Sequence, residues 1–221
     1  MKRLYSDLRE MTNLVTEMGE LVTDMLSGAV DALINSNEIQ ANEVRKKYER
    51  VAFLDSLIED EALRILILYQ PMASDMRFTA AVLKFITYLE RIGKHSKNIA
   101  KAAIFLKDRP TKYFSSEIYA MCDLAIEMVR GVITALETKN IKGLETYHET
   151  DDIMDKFRIT VIEDNVKNMM SDPESVEAYT YYISLAKYLE RVGDNACKLA
   201  EKVIYMVSGK HVEVDGSSSA L

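Results

Sequence analysis

The chain has 221 residues, enough for one large domain or two small ones, and its 48% apolar and 29% charged content is ordinary for a globular protein. A net charge of −7 surrounds it with a field that makes duplex DNA, RNA and anionic membrane surfaces poor partners. Only three prolines and eight glycines interrupt it, no run of about 18 apolar residues exists to cross a membrane, and Met1-Lys2-Arg3-Leu4 opens no signal peptide. The expected class is therefore an all-α protein of the cytoplasm.

Taken in chain order, Val15, Met18, Val22, Met25, Ala29 and Ala32 follow a 3,4,3,4,3 spacing that predicts a first helix with one apolar seam. A second helix is expected from Ile39 to Tyr69, between Asn35-Ser36-Asn37 and Pro71. The third carries the heptad stripe Val82, Phe85, Leu89, Ile92, Ser96, Ile99, Ala103, Leu106. Lys107-Asp108-Arg109-Pro110-Thr111 reads as a polar connection. Ile118, Met121, Ala125, Met128, Val132 and Ala135 then restate the spacing of the first helix. A fifth helix is expected from Ile141 to Met170, bounded by Lys139-Asn140 and Pro173. The sixth carries Tyr182, Leu185, Leu189, Val192, Ala196, Leu199, Val203 and Met206. The tail from Asp215 has no pattern and is expected to be mobile.

The chain is thus written twice. Met25, Gly28, Ala32 and Leu33 recur as Met128, Gly131, Ala135 and Leu136, and Tyr88-Leu89-Glu90-Arg91-Ile92-Gly93 recurs as Tyr188-Leu189-Glu190-Arg191-Val192-Gly193. A repeat this long suits a duplicated small domain, not a solenoid unit. Short turns between long helices predict antiparallel neighbours. The expected fold is all-α, two tandem, similar three-helix bundles of six long antiparallel helices, with residues 1–109 and 110–214 as the bundles and 215–221 as the tail. Cys122 and Cys197 lie inside helical patterns and are expected to be reduced.

The segment Leu89-Glu90-Arg91-Ile92-Gly93-Lys94-His95-Ser96-Lys97-Asn98-Ile99-Ala100 resembles the L-E-R-I-G-D-H-A-x-N-I-A signature of the PhoU family of phosphate-uptake regulators. Gln70-Pro71-Met72-Ala73-Ser74-Asp75-Met76-Arg77 resembles the Q-P-x-A-x-D-L-R segment before it, and Leu189 to Ala200 matches the signature again, with Asp194 in place and Asn195 where the family has His. The resemblance implies a cytoplasmic negative regulator of phosphate uptake that is not an enzyme. Its implied partners are the ATPase subunit of a phosphate ABC transporter and a sensor kinase or other signalling protein. A homodimer is also expected, helped by twelve methionines and many boundary tyrosines.

Four carboxylates need a reason. Asp151 and Asp155 stand at i, i+4, as do Glu190 and Asp194, and like charges at that spacing cost a few tenths of a kcal/mol. Against the seam of the sixth helix, Glu190 and Asp194 point off the core toward the flank, where they could meet Asp151 and Asp155. Four carboxylates without thiolate or imidazole make a hard oxygen site, suited to iron, manganese, magnesium or calcium more than to a structural zinc. The alternative is a solvated acidic face neutralised by lysines. The positions match the E(D)xxxD motifs of the PhoU family, which in some members carry metal clusters. In the first half Tyr48, Ala52 and Lys94 stand where acids would be needed, so that site is broken, and Glu90 with Lys94 is expected to form an i, i+4 ion pair.

Other candidates are weaker. Glu145-Thr146-Tyr147-His148 is a single ExxH, whereas a di-iron bundle needs two and further glutamates. His95 and His148 read as boundary residues, Cys197 as a packed thiol, and Tyr179, Tyr181, Tyr182 and Tyr188 as core and rim aromatics. A metal-dependent enzyme or metal-storage bundle is the competing function.

Overall fold

The computed structural model describes residues 2–109 and 115–214. The expected tail at 215–221 and the Pro110-Thr111 part of the connection lie outside the described residues. Among the described residues six α-helices carry the fold: α1 (Lys2–Ile34), α2 (Glu38–Tyr69), α3 (Ala73–Leu106), α4 (Ser116–Thr138), α5 (Tyr147–Ser171) and α6 (Val176–Ser208). Among the described residues there is no strand.

Local chemistry sets the ends. The Asn37 side chain accepts from the Gln40 N–H at 3.2 Å and caps α2. At the far end Gln70 turns left-handed (φ 43°) ahead of Pro71, which ends the helix. The fifth helix starts later than its periodicity predicts, at Tyr147 instead of Ile141. The Asn140 side chain accepts from the Lys142 N–H at 3.2 Å, Gly143 sits at φ 88°, and a 3-10 turn over Leu144–Thr146 leads into α5. An Asx turn and a left-handed glycine compete successfully with the helix there.

All four predicted apolar seams are buried, including the hydroxyl-bearing Ser96, whose Oγ donates to the Ile92 carbonyl at 2.9 Å. Cys122 and Cys197 are buried free thiols. Helices α1, α2 and α3 pack on one another, as do α4, α5 and α6, and the two trios meet through α3 against α6 and α1 against α4. The apolar side chains form one continuous core.

The direction of the α3–α6 contact follows from its pairings. Phe105 stacks on Tyr181 at 3.8 Å, His95 lies 6.0 Å from Tyr188, and the Arg77 guanidinium lies 6.0 Å from the Tyr205 ring. As one number falls the other rises, so the helices run antiparallel. With a 100-residue offset between the repeats, Tyr88–Gly93 and Tyr188–Gly193 therefore sit side by side at the middle of the contact. The core thus places the two echoed motifs where the repeats join.

Candidate metal centre

The four predicted carboxylates occupy the α5–α6 seam of the second repeat and span a gradient from inside to outside. Asp151 is only 9% exposed, the Glu190 side chain 13%, Asp194 36% and Asp155 54%. Off the apolar seam of α6, Glu190 lies toward α5 in the field of Asp151 and is largely covered there. Gly193 permits the close approach of α5. A Cβ there would stand 3.1 Å from Asp151 Oδ1 and 2.9 Å from Met154 Sδ.

Two arginines stand at the outer carboxylates. Arg158 Nε lies 3.7 Å from Asp155 Oδ1 and 3.6 Å from Glu190 Oε1. Arg191 Nη1 donates to Asp194 Oδ2 at 2.9 Å, and its Nε lies 3.4 Å from Glu190 Oε2. None of these ion pairs reaches Asp151. Its carboxyl is pushed up to about 7, first by burial and then by Asp194, Asp155, Glu190 and Asp152. Glu190 is also raised, by burial first and then Asp194, against the opposing pull of Arg191 and Arg158. Asp151 Oδ1 and Glu190 Oε2 are buried without a hydrogen bond, and so is Arg158 Nε.

These features fit a hard cation by chemistry more than by present geometry. Two buried carboxylate oxygens without donors are what an oxygen-seeking ion satisfies. Among the described residues, however, no group of three or more His, Cys, Asp or Glu side chains is gathered as a metal would hold them. The guanidiniums of Arg158 and Arg191 stand among the acids, on side chains 30% and 52% exposed. Burial, then Asp151 and Asp194, push the Cys197 thiol well above the ordinary range.

The first repeat resolves the same place differently. The Tyr48 O–H donates to Glu90 Oε1, and Lys97 Nζ lies over the Tyr48 ring at 4.3 Å from its centre. Burial, then Glu90, pushes the Tyr48 phenol up to about 12, so it stays a donor. The expected Glu90–Lys94 ion pair does not form, because Tyr48 already holds the Glu90 carboxylate and Lys94 stays exposed. In the ExxH motif, His148 Nδ1 lies 2.9 Å from the Glu145 carbonyl oxygen, so it closes its own turn. Arg158 and Arg191 are the members of the site that spacing alone does not reveal. The one available signal is that each lies at i+3 of an acid or i−3 from one.

The family model described as the PhoU domain matches twice, over residues 15–103 and 118–203. The chain belongs to the PhoU family. It is 28% identical over 215 residues to a phosphate-specific transport system accessory protein PhoU homolog of Clostridium acetobutylicum, covering 97% of this chain and 98% of that protein. The crystal structure of PhoU from Pseudomonas aeruginosa superposes with a TM-score of 0.89 at 29% identity, covering 93% of this chain and 99% of the other. That of the phosphate transport system regulatory protein PhoU from Streptococcus pneumoniae gives 0.84 at 25% identity, covering 95% and 99%. Both PhoU matches fall one to a repeat. The relatives are named as accessory or regulatory proteins, in agreement with the expectation that the chain is not an enzyme.

Proposed function

We propose that this chain is a negative regulator of phosphate uptake that works in the cytoplasm by contacting the ATPase subunit of a phosphate ABC transporter and a sensor kinase or equivalent signalling protein. The supporting observation is the end-to-end match of both repeats to accessory proteins of phosphate-specific transport. No helix among the described residues is long and apolar enough to cross a membrane, so contact with a transporter would be made from outside the bilayer. Affinity capture from phosphate-replete cells tests this, with the transporter ATPase expected among the recovered proteins. Deletion of the chain should raise phosphate uptake under repletion. Absence of both effects would overturn the proposal.

The carboxylates of the second repeat are the cation site of this regulator, with Asp151, Asp155, Glu190 and Asp194 as ligands to iron, manganese, magnesium or calcium. The support is the pair of buried oxygens, Asp151 Oδ1 and Glu190 Oε2, that accept no hydrogen bond. Bound there, the ion would supply fixed positive charge between α5 and α6 and draw the four acids together. Self-association into a homodimer is supported by Ile67, Leu68, Met72 and Met76, large apolar side chains exposed around the α2–α3 turn. Light scattering that shows a strict monomer at micromolar concentration would exclude it.

A further inference from the structure

The chain as a whole is acidic, yet one of its six long helices is strongly basic. Along α3, Arg77, Lys84, Arg91, Lys94, Lys97 and Lys101 face only Asp75 and Glu90 as counter-charge. Lys84, Arg91, Lys94 and Lys101 are exposed, and among the described residues none of the four has an acidic partner. Their spacing places them within an arc of about 100° on the helix. Like charges so placed repel one another, and an acid from a neighbouring helix would relieve the repulsion. Among the described residues no acid of a neighbouring helix forms an ion pair with any of the four, although Asp55 of α2 lies in the field of Glu90.

The strip lies between α2 and α6, the helices that flank α3 on either side. Arg91 lies over the Tyr88 ring at 5.7 Å, and beyond it His95 meets Tyr188 across the repeat junction. His95 is held below its ordinary range, first by burial and then by Arg191 and Lys94, against the opposing pull of Glu90 and with a further push from Arg91. A positive strip on a negatively charged body admits an acidic ligand in one place and repels it elsewhere, which gives orientation as well as attraction.

We propose that the exposed face of α3, centred on Arg91 and Lys94 with Lys84 and Lys101 at its ends, docks an acidic segment of a partner protein. The proposal rests on the reading that the chain acts through protein contacts, and it assigns the face and the charge of that contact.

Binding of a fluorescein-labelled ten-residue glutamate peptide to the full chain, read by anisotropy at low salt, is the direct test. The expected result is saturable binding that weakens as salt rises and falls at least tenfold in Arg91→Glu with Lys94→Glu. Lys46→Glu with Lys47→Glu, which reverses the exposed basic run on α2, should leave it unchanged. Both targeted side chains on α3 are exposed, so the double variant should keep the wild-type melting curve. No binding by the wild type, undiminished binding by the α3 variant, equal loss in both variants, or equal competition by a ten-residue oligothymidylate would each overturn the proposal. Affinity capture separates it from the regulatory reading. Recovery of the transporter by the α3 variant as well as by the wild type overturns the strip alone. Peptide binding that depends on Arg91 without transporter recovery overturns the regulatory reading and supports the strip.

Discussion

At equivalent places the two repeats carry the same scaffold and opposite charge. Leu89-Glu90-Arg91 and Leu189-Glu190-Arg191 are identical and meet at the α3–α6 contact, but Lys94 answers Asp194, Lys101 answers Glu201 and Tyr48 answers Asp151. In the first repeat a phenol donates to the glutamate and settles it. In the second, the same glutamate is crowded by acids and held by two arginines that reach it only at ion-pair distance. Duplication preserved the apolar seams, because a change there costs packing in a shared core. It left the interhelical polar positions free to diverge, one repeat closing its site with a hydrogen bond and the other keeping an unsatisfied acid.

The largest test of this contrast is metal binding. Manganese titrated into the wild type by calorimetry should bind at one site, and Asp155→Asn with Asp194→Asn should abolish it, a loss of at least about 100-fold given two first ligands removed. Glu90→Gln, in the repeat settled by Tyr48, should leave the titration unchanged. A manganese isotherm that survives both Asn substitutions, or that depends on Glu90, breaks the asymmetry.

A smaller effect comes from protons. Asp151 titrates near 7 in the folded chain against 3.8 for a free carboxyl. A raised carboxyl favours the folded state while it is protonated, so this group's contribution is fully present below about 4, declines as pH rises, and is lost above about 7. In EDTA, Asp151→Asn should therefore be more stable than the wild type at pH 8, by roughly 1–3 kcal/mol. The advantage should vanish by pH 4. Urea denaturation at the two pH values measures it, and a variant that loses stability at pH 8 would contradict the buried, unpartnered carboxylate.

The smallest effect concerns the paired glycines. A Cβ at Gly193 meets Met154 Sδ at 2.9 Å and Asp151 Oδ1 at 3.1 Å, whereas at Gly93 its nearest neighbour is Val51 Cγ1 at 3.3 Å. Both substitutions gain up to about 1 kcal/mol of helix propensity. Gly193→Ala should nonetheless end up less stable than Gly93→Ala by roughly 1–2 kcal/mol, because buried Met154 and Asp151 must move. Thermal melts of the two variants decide it, and equal melting points would mean that the α5–α6 seam is looser than its burial indicates.

Much of this was legible in the amino-acid pattern, for a definite reason. Seams such as Val82 to Leu106 and Tyr182 to Met206 are heptad stripes, and a stripe that wide can be satisfied only by burial along a neighbouring helix. The start of α5 was not legible, because the competition between a helical pattern and the Asn140–Gly143 turn is decided by local hydrogen bonds. The four carboxylates were found by spacing, but their ordering from buried Asp151 to open Asp155 depends on how α5 lies over Gly193. Arg158, Arg191 and Tyr48 were missed as partners, since long side chains choose among several neighbours by rotamer and no periodicity records that choice.

The antiparallel α3–α6 contact carries a consequence for how information could pass through the molecule. Among the described residues the repeats share one apolar core, and α3, with the Glu90 motif, packs directly on α6, with the Glu190 motif. Close-packed helices shift as bodies and deform little. A displacement of α6 at its carboxylates would therefore be met by α3 through their shared packing. The duplicated fold thus sets unlike charge on its two halves, with the echoed Leu-Glu-Arg motifs at their junction.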